Sequence, residues 1–432
     1  MIMDGTKNYG FNKPSQNDIY DIDDQNENWD MIDDMFKHNS NQIAEFMKLF
    51  GYEKNDIYGV EVDFETGEFT RLAAATGKTA GAGFNAFRAF GGRRRCNLSD
   101  TGVVTAYYGE DGYTETGTNS AGESVQVMVE QPAFFYKIVP LKVFNGVMLK
   151  ARYYVSDTKK EGFKLHPAFM FEGKEVDKIY LSAYEGCLQR SNNKTYILDD
   201  SQGGFSMGTY FLSSVAGAFP TTGYGFASLQ SCAEMRQEWD VGWFMSSIYS
   251  ISATQLLFLI EHATLNAQKE LGNGIVVSDG EPVITGITSD LGNNTGAVRG
   301  VVSYRGEENL FGNVWTFLDK ITCKSTSVYI DGKATKIPYK TGQGGWVTRF
   351  AYDQDADWLF YPVEVQGGGP NGITEDFYET ASASSSTAFI PLFGGSYESD
   401  QDAGLFALNV TKHDTDSSDT YGARLIYMPG LN

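Results

Sequence analysis

From Tyr58 to the end of this 432-residue chain, apolar side chains come mostly in short runs with a period of two, each closed by Gly, Asn, Asp or Ser. A strand sends alternate side chains to opposite faces, so this pattern commits most of the chain to sheets of short strands. Tyr58, Val60, Val62 and Phe64 alternate with other residues, Glu65-Thr66-Gly67 forms a turn, and Phe69 and Arg71 begin a return strand, which predicts a β-hairpin. A Gly/Ala-rich stretch over 73–92 follows, then strands predicted at 103–108, 124–130, 134–141 and 151–156. The C-terminal third repeats the pattern at 298–304, 314–321, 327–330, 388–390, 404–410 and 423–427. The 48 Gly supply turns, and the 29 Phe and 25 Tyr supply a core.

Two stretches depart from that period. Residues 1–57 are acidic, and within them Trp29, Ile32, Met35, Phe36, Ile43, Phe46, Met47 and Phe50 fall near helical spacing. His38 to Asn41 interrupt the stripe, which predicts two short amphipathic helices. So short an apolar face is poorly buried alone, which favours oligomerisation or attachment to another protein. Between residues 210 and 267, Leu229, Met235, Trp239 and Trp243 precede a nearly continuous run of Ile248, Ile251, Leu256, Leu257, Leu259, Ile260 and Leu265. That run reads as a buried helix, with Ser252 or Thr254 as N-cap and Gly272 beyond its end. The expected organisation is α+β: a helical segment over 1–57, a β-rich region over 58–131 and a further domain with few helices over 132–432.

Charge and composition exclude several functions. With 34 basic and 55 acidic residues the formal net charge is −21, which repels a phosphate backbone and argues against a nucleic-acid partner. Arg93, Arg94 and Arg95 form the one basic run singled out, and a loop or a carboxylate-pairing strand edge accounts for it. Cys96, Cys187, Cys232 and Cys323 lie tens of residues apart without a Cys-x-x-Cys pair, so neither a zinc site nor dense disulfide stapling is expected. No window approaches the ~18 apolar residues of a membrane-spanning helix, and the first ten residues contain no apolar run. The expectation is a soluble protein, folded in a reducing bacterial cytoplasm, that inserts in no membrane; an extracellular role would need delivery by another route, such as release inside an assembled particle. No cofactor is expected.

The most informative stretch is Tyr304-Arg305-Gly306-Glu307-Glu308-Asn309-Leu310-Phe311-Gly312-Asn313-Val314-Trp315-Thr316-Phe317. It resembles the core strand of the formylglycine-generating-enzyme branch of the C-type-lectin-like fold. Downstream, Pro391-Leu392-Phe393-Gly394-Gly395-Ser396-Tyr397, Ala403 to Leu408, and Tyr421-Gly422-Ala423-Arg424-Leu425 continue the likeness. In this order they resemble the variable domain of phage proteins diversified by retroelements. His166-Pro167-Ala168-Phe169 and Glu172 to Tyr180 are similar to the opening segment of phage proteins carrying this module. The resemblance spans about Phe134 to the C-terminus and is loose over 58–131.

The resemblance implies a C-terminal C-type-lectin-like domain in the tail of a virion. That domain would bind a host cell-surface protein or glycan, while the N-terminal segment meets other phage tail proteins and the chain forms a homotrimer. Buried Trp and Gly residues would fix a frame, and side chains on the last strands and their loop would project outward and vary with little cost. The outward positions are Tyr397, Glu398, Ser399, Asp400, Asp402, Asn409, Thr411, Lys412, His413, Asp414, Asp416, Asp419 and Tyr421. Tyr397 and Tyr421 read either as rigid aromatic anchors or as half-buried packing, and the run from Thr411 to Thr420 as a contact loop or a solvated one. Trp315, Trp346 and Trp358 read as core, Asn313 as a buried strut, and Arg305 and Arg424 as internal pairs.

Catalysis is not expected. The family's enzymes use a Cys pair near the end of the chain, and here the last cysteine is Cys323. His413 beside Asp414 and Asp416 reads as a solvated side chain rather than an acid-base pair. Two readings compete with adhesion: a structural tail or baseplate component, and a glycan-cleaving spike using paired carboxylates. Calcium at Asp414, Asp416 and Asp419, or at Asp353, Asp355 and Asp357, is a weaker alternative to the expected absence of a metal.

Overall fold

A computed structural model describes residues 4–6, 11–13, 22–49, 56–198, 208–278, 280–369 and 373–431. The chain is α+β, rich in strands and poor in helices, as expected. It divides into two compact units, Met1–Lys54 and Asn55–Asn432.

In the first unit a two-residue hairpin, Asp4–Gly5 with Asn12–Lys13, precedes one helix, Ile22–Leu49. Two short helices were expected, and the polar stretch from His38 to Asn41 does not divide them. Asn, Ser and His are weak helix formers, but each costs only about 0.7 kcal/mol or less, and no Pro or Gly stands there to break the ladder. Of the predicted stripe, Trp29, Phe36 and Ile43 stand exposed, while Ile32 and Met35 are half-buried. The side chains of Phe46, Met47 and Phe50 lie outside the described residues.

The second unit contains three larger sheets. The predicted hairpin forms as Ile57–Asp63 and Glu68–Ala73, with Tyr58, Val60, Val62 and Phe64 buried. It joins Val147–Ser156, Phe135–Phe144 and Lys164–Leu165 in a five-stranded sheet whose pairings are all antiparallel. A six-stranded sheet runs in the order Trp243–Met245, Leu425–Tyr427, Lys178–Ser182, Val125–Pro132, Arg94–Ser99, Val104–Tyr107. The boundary expected at 131/132 therefore falls inside the sheets. Val125–Pro132 pairs with Arg94–Ser99 on one side and Lys178–Ser182 on the other, so the middle region shares its hydrogen bonds with the C-terminal part. One hydrophobic cluster correspondingly runs from Tyr58 to Leu431.

The predicted buried helix is Ile248–His262. Its N-cap is Ser247 in a reciprocal pair with Ser250, not Ser252 or Thr254. Those two side chains turn inward: Ser252 Oγ donates to the Tyr249 carbonyl at 2.9 Å and Thr254 Oγ1 to Glu307 at 3.2 Å. The helix ends at Ala263, whose φ of 53° is left-handed, before Gly272 is reached.

The stretch from Tyr304 to Val314 is buried, and its polar side chains form a layer beside this helix. Arg305 donates to both oxygens of Glu261, at 2.6 and 2.5 Å, and Tyr304 donates to the same carboxylate at 2.8 Å. Arg424 gives its guanidinium to the carbonyls of Glu308 at 2.9 Å and Ser182 at 3.0 Å. Glu185 accepts from the amides of Asn313 at 2.6 Å and Asn309 at 3.0 Å, and from the Val314 N–H at 3.2 Å. Arg305 and Arg424 thus make the internal pairs expected of them, and Asn313 is a buried strut. The basic run is spent internally too: Arg93 pairs with Glu307, Arg95 with Glu115 at 3.5 Å, and Arg94 lies over the Tyr107 ring. All four cysteines are buried and unpaired.

Burial pushes the Glu185 carboxyl up to about 8 and also raises Glu308 and Asp376. A carboxyl held protonated in the fold binds a proton that the unfolded chain has already lost, so its stabilisation fades as pH rises through the folded value. His166, buried and pushed down to about 3, works oppositely below its ordinary 6.5. The melting temperature is therefore expected to rise as pH falls from 8.5 to 6.5, measured by calorimetry. A flat or falling profile in that window would remove the neutral-acid assignment for Glu185.

Candidate functional site

A seven-stranded mixed sheet carries the residues singled out at the C-terminus. Its order is Pro362–Gln366, Gly344–Phe350, Phe377–Thr380, Leu408–Lys412, Ile390–Phe393, Trp315–Phe317, Tyr421–Gly422. Alternation decides what each strand presents. Leu408 and Val410 point into the core, leaving Asn409 and Thr411 outside. Tyr378 and Thr380 are buried, so Phe377 and Glu379 face out. Parallel pairing sets Glu379 beside Asn409, whose amide donates to its carboxylate at 3.2 Å. A second parallel pair sets Trp315 beside Tyr421.

Between these strands lies a cleft of about 260 Å³. Trp315, Phe377 and Tyr421 give it aromatic walls, and Glu379, Glu398 and Asp402 give it carboxylates. The turn after Ile390–Phe393 closes one side. Gly395 has φ 91°, and a Cβ there would come within 2.5 Å of Ala403, so only glycine makes this bend. Beyond it Ser396 and Ser399 tie the loop: the Ser396 N–H donates to Ser399 Oγ at 2.8 Å and the Glu398 N–H to Ser396 Oγ at 3.2 Å. The loop is bound to the frame through Asn313, whose carbonyl accepts the Tyr397 N–H at 2.9 Å. Burial raises the Asp402 carboxyl, and the neighbouring charges of Asp400 and Glu379 add to the shift.

The structure divides the predicted residues among three places. Glu398, Ser399, Asp402, Asn409 and Tyr421 line the cleft. Asp419 and Tyr397 border a second cleft of about 570 Å³, whose lining includes Phe219, Pro220, Tyr224, Glu281 and Pro282. Tyr397 departs from the expectation of an exposed anchor. Its side chain is only 1% exposed, and its hydroxyl has no hydrogen-bond partner among the described residues. The Gly394-Gly395 bend turns the chain back on itself and carries the ring inward.

The rest of the loop mostly makes contacts within the chain. Thr411 Oγ1 donates to Asn409 at 2.7 Å, and the Lys412 ammonium lies 5.9 Å from the Tyr421 ring centre. His413 is not solvated as expected: its ring stacks on Phe389 at 4.5 Å, and Nδ1 lies 2.9 Å from the Ala388 carbonyl. Asp416 accepts the His413 N–H at 2.8 Å, and the Asp414 carbonyl meets the Ala227 N–H at the start of helix Phe226–Glu234. Asp400 is exposed with a φ of 50°.

Among the described residues no group of three or more His, Cys, Asp or Glu converges as a metal cage. Asp353 accepts backbone N–H groups of Lys336 and Asp355, whereas Asp357 accepts from Tyr136 at 2.7 Å.

Sequence reasoning missed part of the cleft. Trp315 was read as core, yet it is half-exposed and forms a wall, whereas Trp358 is buried as expected and Trp346 is half-exposed against the edge of Phe377. Phe377 and Glu379 were not singled out. The signal was the two-residue alternation of Phe377-Tyr378-Glu379-Thr380, which marks an outward pair on a strand.

No family model matches the chain, and no curated protein matches it. Among solved structures it is similar to the Major Tropism Determinant U1 variant, at 11% identity and a TM-score of 0.27 over 84% of this chain and 77% of that one. The P3c variant gives 10% identity and 0.28 over 83% and 77%. The M1 variant gives 11% and 0.27 over 87% and 81%.

Behind the cleft, Asp376 is fully buried and accepts the Phe406 N–H at 2.5 Å. A Cβ on Gly404 would come within 1.9 Å of Asp376 Oδ1. Gly404→Ala is expected to cost about 1–3 kcal/mol in urea unfolding through this overpacking. A change below 0.5 kcal/mol would show that the Asp376 contact does not hold the strand.

Proposed function

We propose that this chain is a phage tail adhesin that binds a host cell-surface receptor through the outward face around the Trp315, Phe377 and Tyr421 cleft. In this reading Asn55–Asn432 contains a C-type-lectin-like domain, and the protein works in the virion tail. The observation that carries the proposal is the division of labour between two layers. The motif from Tyr304 to Val314 is consumed in buried pairing, while Trp315, Glu398, Ser399, Asp402, Asn409 and Tyr421 line one cleft. A rigid frame under replaceable side chains suits recognition, because outward substitutions cost little stability. The likeness of the motifs to retroelement-diversified phage proteins supports the same reading. Tail assembly alone is the rival.

The Trp315→Ala/Tyr421→Ala double variant is expected to lower adsorption of particles to host cells at least tenfold while particles assemble in normal number. Loss of assembly with this variant would favour the structural tail component instead.

Helix Ile22–Leu49 supports self-association, which we propose forms a homotrimer and also meets other tail proteins. Ile22, Trp29, Phe36 and Ile43 recur every seventh residue and are 63, 60, 69 and 60% exposed. A strict seven-residue apolar repeat is the signature of a supercoiled helix bundle. Counting Ile22 as position a, Asp23 and Asp30 fall at b and Glu27 and Asp34 at f, away from the seam, and Asp33 at e is the one acid at a flanking e or g position of this helix. Trimeric presentation multiplies weak contacts with a repetitive surface. Sedimentation of the full chain is expected to give a trimer, and Trp29→Asp/Phe36→Asp a monomer with unchanged strand content. A monomeric parent chain at tens of micromolar would end the trimer proposal.

A further inference from the structure

We propose that the cleft between Trp315, Phe377 and Tyr421 binds an organic cation: an ammonium group on an alkyl arm, of the kind carried by a lysine side chain or a quaternary ammonium headgroup. The inference rests on the reading of this cleft as the receptor contact and names the chemistry it selects. Aromatic faces attract cations through their quadrupole, and the attraction strengthens where water is excluded. The three rings come from three different strands and all are half-buried, so each offers part of its surface to a guest.

Charge points the same way. Glu379, Glu398 and Asp402 line the cleft, and no Lys or Arg does. The Asp402 carboxyl is raised by burial first and then by the charges of Asp400 and Glu379, so within the cleft Glu379 repels it. A cation relieves that repulsion, whereas a phosphate, sulfate or sialic carboxylate would add to it. The chain itself supplies a small version of the pairing, since the Lys412 ammonium lies 5.9 Å from the Tyr421 ring centre.

The side-chain amide and the aliphatic hydroxyls of the cleft already have partners. Asn409 is bound to Glu379 and Thr411, Ser396 to Ser399, and the Thr420 hydroxyl lies 3.0 Å from that of Ser418. A neutral sugar needs several donors as well as acceptors around its ring hydroxyls, whereas beside its carboxylates this cleft has at most the Trp315 indole N–H and the Tyr421 hydroxyl to donate. A volume of about 260 Å³ fits a trimethylammonium group or the end of a lysine arm.

The full chain would be titrated, with tryptophan fluorescence and isothermal calorimetry as readouts, against choline, N-acetyl-lysine methylamide, 3,3-dimethylbutanol and N-acetylglucosamine. At least one of the two cations is expected to bind tenfold or more tighter than the uncharged isostere dimethylbutanol. Which one binds tells a headgroup from a protein side chain. Glu379→Gln/Glu398→Gln is expected to weaken that cation at least tenfold, and Trp315→Ala to abolish its binding. Equal binding of the isostere, preferential binding of the sugar, or no binding of either cation overturns the proposal. Host adsorption separates the two readings. Loss of adsorption in Trp315→Ala particles, with no cation bound by the parent chain, ends the cation inference and leaves the adhesin. Cation binding by the parent chain, with undiminished adsorption of Trp315→Ala particles, ends the adhesin reading of this cleft.

Discussion

The strand that bears Trp315 and the loop that bears Tyr397 both depend on one buried carboxyl, Glu185. It takes the side-chain amides of Asn309 and Asn313 and the N–H of Val314, and so fixes the chain just before Trp315 enters the sheet. Asn313 passes the constraint on, because its carbonyl holds Tyr397 and its side chain pairs with both backbone groups of Val283. Burying polar groups is costly unless they find partners, and here Asn313 is paired through both its amide nitrogen and its oxygen, whereas Asn309 is paired through its amide nitrogen alone. A few residues of unusual composition thereby hold a loop, a strand and a cleft wall in one register.

The same logic repeats one layer away, where Arg305 and Glu261 join the Tyr304 stretch to the central helix, and Arg424 joins the closing segment to two distant carbonyls. These pairs explain why a chain of net charge −21 still buries arginines: each guanidinium meets a carboxylate or several carbonyls. Above this layer the outward side chains of Leu408–Lys412 and Phe377–Thr380 touch mainly their neighbours on the same face. The cost of changing them is correspondingly local, which separates the part of the molecule that must be kept from the part that can be altered.

Much of this was legible in the residues. Period-two runs located the strands at Ile57–Asp63, Glu68–Ala73 and Ser327–Ile330, and the Arg-Gly-Glu-Glu-Asn stretch announced internal pairing. What failed did so for identifiable reasons. The polar residues His38 to Asn41 look like a break, but helix propensity is a weak force over four positions without Pro or Gly. Tyr397 follows two glycines, and the direction of a bend made by Gly394 and Gly395 at φ near 90° cannot be read from their names, so an expected surface ring proved to be interior. His413 sits among acids in sequence yet stacks on Phe389, a neighbour supplied only by folding. The proposed middle region failed as a separate piece because strand pairing between Val125–Pro132 and Lys178–Ser182 carries no mark in either strand alone.

The six-stranded sheet places Leu425–Tyr427 in its interior, hydrogen-bonded to Lys178–Ser182 on one side and to Trp243–Met245 on the other. A stretch made long after both of its partner strands thus fills the place between them. During synthesis the scaffold stays open until these residues leave the ribosome, and a chain cut short before them keeps two unpaired edges inside what should be its core. Such a truncated chain exposes the unpaired strand edges on which edge-to-edge aggregation begins.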